Sequence, residues 1–163
     1  MSEQARLYLE TTIPSYLVAR PSRDLVISAR QQITRDWWDT QRQNFEIFIA
    51  QPVLDEVSRG DAAYASERLK LLESLASLEI TPEVEDLAGQ LKAALNLPER
   101  ATVDSMHLAV ATVYQMEYLL TWNLAHLANA HVRRNLERFS VRSSMIVPTI
   151  CTPEELIEEE GQQ

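Results

Sequence analysis

The sequence predicts an α/β fold in which a parallel sheet of four to five strands carries helices on both faces. Three observations carry that expectation. Short apolar runs alternate along the chain with longer segments patterned as helices. The apolar runs lack strict two-residue alternation, as strands buried on both sides do. Several helix-patterned segments open on a proline in the first turn, where its missing N–H costs nothing.

Taken in order, Arg6–Glu10 (RLYLE) reads as a short strand that ends in an acid, and TTIPSYLVA then turns helical. Ser22 is placed to cap a second helix, on which Leu25, Ala29, Ile33 and Trp37 recur every fourth residue. FEIFIA (45–50) is a buried strand, and Gln51-Pro52 opens the next helix. Asp61 begins a helix that runs to about Ala76, with Leu69, Leu72 and Leu75 spaced for one face. LEI (78–80) is a third strand, and Thr81-Pro82-Glu83 starts the helix after it. Thr102 opens an apolar helix containing VDSMHLAVA, and YLLTW (118–122) is a fourth strand. A helix from Leu124 to about Phe139 and a strand at 145–151 (MIVPTIC) follow. Thr152-Pro153-Glu154-Glu155 is a capping box for a short terminal helix, beyond which the acidic tail is expected to fray.

With 163 residues, 45% of them hydrophobic and 24% charged, the chain is expected to form one domain over 1–163. Its core spans 6–151, and 152–163 form the terminal helix and tail. A single cysteine, Cys151, excludes an internal disulfide framework and a zinc knuckle. No basic stretch followed by a long apolar run opens the chain, and the longest uncharged run, Tyr118–Val132, is too short and polar to span a bilayer. A cytoplasmic protein with no membrane partner is the expectation.

Only Gly60, Gly89 and Gly161 are glycines, so no dinucleotide fingerprint, phosphate loop or nucleophile elbow can be written. Cys151 has no nearby base, which argues against a thiol nucleophile. Chemistry must come from carboxylates, histidines or a metal. The net charge of −9 disfavours broad wrapping of nucleic acid. Yet Arg20, Arg23, Arg30, Arg35 and Arg42 fall in one helical region, and Arg133, Arg134, Arg138 and Arg142 in another. Guanidinium forks suit phosphate or carboxylate partners, although for either cluster taken alone a solvated helix face with i,i+4 pairs is the plainer reading.

In open parallel sheets function collects beyond the carboxyl ends of the strands. Glu10 ends the first strand, Glu56 lies just after the second, Asp104 opens the apolar helix and Asn123 follows the fourth strand. Each has a plain alternative. Glu10 can be a solvated strand end, Glu56 a partner for Arg59, Asp104 a complement to a helix N-terminus, and Asn123 an N-cap. Together they are harder to dismiss, because two carboxylates ~5 Å apart repel by roughly 3 kcal/mol at an effective dielectric of 20. Such a cluster calls for protonation or a cation, and oxygen ligands of this type suit Mg²⁺ or Mn²⁺. His107, His126 and His131 raise a zinc alternative, but no H-E-x-x-H is present. His107 reads more simply as a core or supporting histidine, and His126 as facing the crevice near Asn123.

LYLETTIPSY, the acid in VLDEV, the DSMHLAVA helix and LLTWN, in this order, resemble the PIN-domain ribonucleases, and among them the VapC-like toxins. The resemblance covers roughly residues 6–151 and rests on the ordered set, since no single motif is specific. It implies a three-layer PIN-like fold, an Mg²⁺ or Mn²⁺ pocket and cleavage of RNA. It further implies an antitoxin protein as partner, and it allows for a homodimer. Carried over by position, Glu10, Glu56 and Asp104 become the metal-binding acids, Asn123 the fourth site position, and Thr121 the hydroxyl residue two before it. The family usually has aspartate where Glu10 stands and an acid where Asn123 stands. Two other classes stay open: a PIN-like module that only binds RNA or protein, and a different metal-dependent phosphohydrolase. Against the latter, ETT after the first strand lacks the Asp-x-Asp of aspartyl-phosphate enzymes.

Overall fold

A computed structural model describes residues 3–158. Five strands form one sheet in the order β3-β2-β1-β4-β5, with every pairing parallel. They are β1 (Ala5–Leu9), β2 (Phe45–Ala50), β3 (Ala76–Leu78), β4 (Tyr118–Leu120) and β5 (Thr149–Cys151). Parallel strands need crossovers, and seven helices supply them: α1 (Thr12–Val18), α2 (Leu25–Thr40), α3 (Gln51–Val57), α4 (Ala62–Leu72), α5 (Pro82–Ala94), α6 (Thr102–Val113) and α7 (Ala130–Ser143). Helix α1 packs on α2 and α4, while α5 packs on α6 and α7. These groups make the outer two of three layers, as right-handed crossovers on either side of β1 require.

The central strands are apolar for the expected reason. Leu7, Tyr8, Leu9, Leu119 and Leu120 are buried, and Leu9 pairs with Leu120 across β1 and β4. Chain order reverses between β1 and β4, since β1 leads to β2 on one side and meets β4 on the other. The crevice past their carboxyl ends is where such sheets place ligands.

Several local expectations shift. Asp24 rather than Ser22 caps α2, accepting from the N–H groups of Val26 and Ile27. The face α2 buries is Gln31, Thr34, Trp37 and Trp38, while Leu25 is 86% exposed. The four-residue repeat therefore marked the wrong stripe over the first two turns. The helix expected from Leu124 begins at Ala130 instead, because Asn129 supplies its side-chain cap to Val132 N–H. Residues 124–128 form hydrogen-bonded turns closed by Leu127 and Ala128 N–H on the Asn123 carbonyl. The last strand is confined to Thr149–Cys151, since Pro148 lacks a donor and Ile146 faces solvent at 77% exposure. Helix α4 ends at Leu72 and β3 covers Ala76–Leu78, two residues before the expected strand. Thr152 and Glu155 do form the capping box, but on a single 3₁₀ turn, Pro153–Leu156, in place of an α-helix. The tail from 159 onward, expected to fray, lies outside the described residues.

Candidate active site

Each candidate acid is delivered to the crevice by a different element. Glu10 is the first residue past β1 and only 3% exposed. Its N–H continues the pairing with β4 by donating to Leu120 O at 3.1 Å, and its carbonyl accepts from Ile13 N–H as α1 begins. The carboxylate turns back onto its own loop. Oε1 accepts from Thr12 N–H at 3.0 Å, Thr12 Oγ1 at 2.6 Å and Thr121 Oγ1 at 2.7 Å. Both hydroxyls also accept a backbone N–H from the end of β4, Trp122 to Thr12 at 2.8 Å and Asn123 to Thr121 at 2.9 Å. Glu10 therefore ties the ends of β1 and β4 together through two threonines. Trp122 is anchored from behind by its indole N–H on Thr34 Oγ1 at 2.7 Å.

Glu56 stands near the end of α3. Its Oε1 accepts from Thr11 Oγ1 at 2.8 Å and from His107 Nε2 at 2.6 Å. His107, fully buried on α6, meets the Tyr8 hydroxyl with its other nitrogen at 2.7 Å. An ionised carboxylate can only accept, so Nε2 carries a proton, and Nδ1 accepts from Tyr8 in the neutral ring or donates to it in the charged one. A carboxylate, an imidazole and a phenol thus run in series from the crevice into the core.

Asp104, one turn before His107 on the same face of α6, is held by the loop after β4. Asn123 Nδ2 donates to Oδ1 at 3.0 Å, and His126 Nδ1 lies 3.0 Å from Oδ2. Asn123 Oδ1 meanwhile accepts from His126 N–H at 3.0 Å. Asn123 is therefore a cap, as its residue type suggests, but a cap on one turn and a clamp on Asp104 together.

Glu10, Glu56, Asp104 and Asn123 line one cavity of about 510 Å³. Thr121 is fully buried behind it and reaches the cavity through Glu10. Burial pushes the Glu10 carboxyl above the ordinary glutamate range, against the opposing pull of His107, Thr12 and Thr121. Burial likewise raises Asp104 despite His107, His126 and Asn123. It would raise Glu56 too, but the hydrogen bond and charge of His107, with Thr11 and Arg59, outweigh it and hold that group low.

Oxygen and nitrogen atoms of Glu10, Glu56 and His107 lie within 4.8 Å of one another, with Asp104 outside that trio. His107 already uses both ring nitrogens, so it supports Glu56 and does not offer a free ligand. Among the described residues, Oε2 of Glu10 and of Glu56 accepts no hydrogen bond. Glu10 and Glu56 each keep one uncommitted carboxylate oxygen at the cavity, and hard oxygen donors of this kind fit a divalent cation. Among the described residues no such cluster forms around His131, and His126 Nδ1 serves Asp104.

The sequence reading passed over three contributors. Thr11 and Thr12 stood in the ETT stretch, and their position beside an acid after a strand was the available signal. Tyr8 looked like any core aromatic, and nothing local marks its pairing with His107. Cys151 is buried at the β5 end, and burial, with Glu155 adding to it, pushes its thiol up to about 12, which suits no nucleophile.

Comparison with known proteins gives a consistent picture. The family model described as PIN domain matches residues 7–130. No curated protein matches the chain significantly. Among solved structures, VapBC2 from Rickettsia felis bound to a DNA fragment from their promoter is similar with a TM-score of 0.57. It is 15% identical, over 90% of this chain and 98% of that one. VapC20 from Mycobacterium tuberculosis, a sarcin–ricin loop cleaving toxin, has a TM-score of 0.59 at 15% identity, over 74% of this chain and 92% of its own. FitAcB from Neisseria gonorrhoeae has a TM-score of 0.59 at 13% identity, over 92% and 99%. At these identities the likeness is one of fold.

Proposed function

Since this chain belongs to the PIN-domain family, we propose that it is a metal-dependent endoribonuclease that hydrolyses RNA phosphodiester bonds, and the toxin of a type II toxin–antitoxin pair. The observation that carries this reading is the convergence of Glu10, Glu56 and Asp104, from three separate elements, on one cavity at the chain reversal of the sheet. Cleavage by VapC20, and the VapBC2 complex on its promoter DNA, support the toxin assignment by analogy of fold. The antitoxin partner and a homodimer belong to the same proposal, as do the cytoplasmic location and the treatment of 1–163 as one PIN-like domain. Among the described residues, no helix is long and apolar enough to cross a membrane.

Glu10, Glu56 and Asp104 would hold Mg²⁺ or Mn²⁺. Bound there, the ion supplies Lewis-acid activation of water and offsets the charge that develops at phosphorus. The protein's own part is positioning. Thr12 and Thr121 orient Glu10, His107 and Thr11 orient Glu56, and Asn123 and His126 orient Asp104. Because these supports have other partners in the core or the backbone, the acids are held before substrate arrives.

The test is cleavage of a mixed RNA pool by purified protein with added Mn²⁺ or Mg²⁺ and with chelator, beside Asp104→Asn. Metal-dependent cutting that the variant loses supports the proposal, and retained cutting removes Asp104 from it. One observation favours a second reading, a catalytically weak PIN-like module that binds RNA or protein. Both oxygens of Asp104 are already engaged, and its neighbour Asn123 brings an amide where the family usually has an acid. Protein that binds Mn²⁺ yet leaves every RNA uncut would favour that module.

A further inference from the structure

The cavity that holds the acids has a second end. Its wall extends from Glu10, Glu56 and Asp104 to Arg20, the one cation among its described lining residues. Arg20 follows α1 closely, and its guanidinium is held in place. Nε donates to the Tyr64 hydroxyl, and the group sits 5.7 Å from the centroid of the Tyr64 ring. The backbone beneath is pinned as well. Gln31, only 2% exposed, donates to Arg20 O at 2.9 Å and accepts from Ser22 N–H at 2.9 Å. A buried amide on α2 is thereby accounted for, because it fixes the short loop that presents Arg20.

A guanidinium has five N–H donors, and only Nε has a partner here. Among the described residues, Nη1 and Nη2 of Arg20 meet no acceptor and no carboxylate lies within ion-pair distance. Other arginines of the region are directed elsewhere. Arg30 stacks over Trp122 at 5.4 Å, Arg42 over Trp38 at 4.5 Å, and Arg35 donates to Gln32 at 3.1 Å. In a chain of net charge −9, a nucleic-acid strand meets repulsion at the acids and attraction at this fork. A planar fork with a free edge suits the two outer oxygens of a phosphodiester.

We propose that Arg20, positioned by Tyr64 and Gln31, forms an anion subsite that takes a second backbone phosphate of the strand whose scissile phosphate lies at the acids. The subsite rests on the nuclease reading for the identity of its ligand. Arg20 touches substrate, whereas Tyr64 and Gln31 act through it.

The experiment is equilibrium binding of a labelled ten-nucleotide RNA to the full chain, over a range of salt, with Ca²⁺ in place of Mg²⁺ or Mn²⁺ so that the acids are neutralised, and with the RNA checked to be intact afterwards. A dinucleoside monophosphate, which carries one phosphate, is titrated in parallel by NMR. Arg20→Gln should weaken the longer RNA about tenfold, the worth of one charge-assisted contact. It should also reduce the slope of log K against log salt by about 0.7, as loss of one single-strand phosphate contact does. Arg20→Lys should recover part of the affinity, and Tyr64→Phe should weaken it several-fold. The dinucleoside monophosphate should change by no more than about twofold. Arg23→Gln, which alters an exposed charge outside the cavity, serves as the control.

Absence of ten-nucleotide binding in the wild type overturns the subsite, as does equal binding by Arg20→Gln. So does an equal loss on both ligands, because Arg20 would then meet the scissile phosphate. Loss of an acidic protein partner with RNA binding unchanged also overturns it and assigns the fork to a carboxylate. If the wild type cuts RNA with Mn²⁺ and Arg20→Gln binds RNA equally well, the subsite fails and the nuclease stands. If binding depends on Arg20 but no metal yields cleavage, the nuclease fails and Arg20 stands as a backbone-phosphate subsite of an RNA-binding module.

Discussion

His107 Nε2 lies 2.6 Å from Glu56 Oε1, although the two residues are 51 positions apart and His107 has no exposed surface. With Tyr8 behind the ring at 2.7 Å, the imidazole is a strut between the core and the crevice. It answers why a helix as apolar as α6 carries a histidine at its centre: the ring is a satisfied core residue whose far side faces a site carboxylate.

Breaking that strut should affect site and fold by separable amounts. Tyr8→Phe leaves His107 Nδ1 without its partner and should cost about 1–3 kcal/mol of stability in urea melts. His107→Gln frees Glu56, and it should lower cleavage or metal affinity by about 10–100-fold, the usual effect of losing a residue that orients a ligand. Cleavage at the wild-type rate by folded His107→Gln would show that Glu56 needs no support.

Asp104→Asn should leave the metal-free protein as stable as wild type, or more so. Burial raises the Asp104 carboxyl, so folding penalises its ionised form relative to the unfolded chain, and a neutral isostere avoids that cost. A melting temperature several degrees lower would instead assign Asp104 a structural role through Asn123 and His126.

The metal-free pH dependence should carry the sign of Glu10. Its folded pKa is raised, so the native state takes up the proton before the unfolded chain does. Stability should therefore rise as pH falls from neutral toward the ordinary glutamate value of about 4.3. Glu56 acts with the opposite sign in a lower window. Its folded value is depressed, and its contribution is lost only as pH falls below the ordinary range. Glu10→Gln keeps an oxygen for Thr12 and Thr121 and should flatten the profile above about pH 4.3. Urea melts of both proteins at several pH values check this, and superimposable profiles would contradict it.

If the assembled crevice holds the ion and the unfolded chain does not, metal should stabilise the native protein. At a hundred times its dissociation constant the gain is about 2.7 kcal/mol. Millimolar Mn²⁺ or Mg²⁺ should raise the melting temperature of the wild type but not of the Glu10→Ala, Asp104→Ala double variant. Equal shifts in both would place the ion elsewhere.

Asn123→Asp tests the departure from the family pattern. The new carboxylate can still accept from His126 N–H, so the turn should survive. Where Asn123 Nδ2 now donates to Asp104 at 3.0 Å, however, two oxygens would face each other. Carboxylates that close repel by a few kcal/mol at an effective dielectric of about 20, so the metal-free protein should be less stable at neutral pH. The same repulsion should tighten divalent metal binding and lower the Mn²⁺ needed for half-maximal cleavage. Titrations of Mn²⁺ against melting temperature and cleavage that match the wild type would leave Asn123 with only its capping role.

What the sequence determined by itself was local. The alternation of strand and helix, the proline-led helix starts, the buried run at 45–50 and the acids at strand ends each depend on residues within a few positions of one another. Errors arose where two local signals competed. Asn123 was expected to cap the helix after β4, but the cap is Asn129, and a turn that Asn123 itself closes intervenes. Leu25 fitted a periodic stripe that the packing of Trp37 and Trp38 overrode. Only the tertiary structure decided that β1 lies between β2 and β4, and with that which side chains meet. The bond from Thr121 to Glu10 spans 111 positions, Tyr8 to His107 spans 99, and Thr11 to Glu56 spans 45. No periodicity encodes such pairs, because crossover topology brings them together, and burial then requires each polar group to find a partner there.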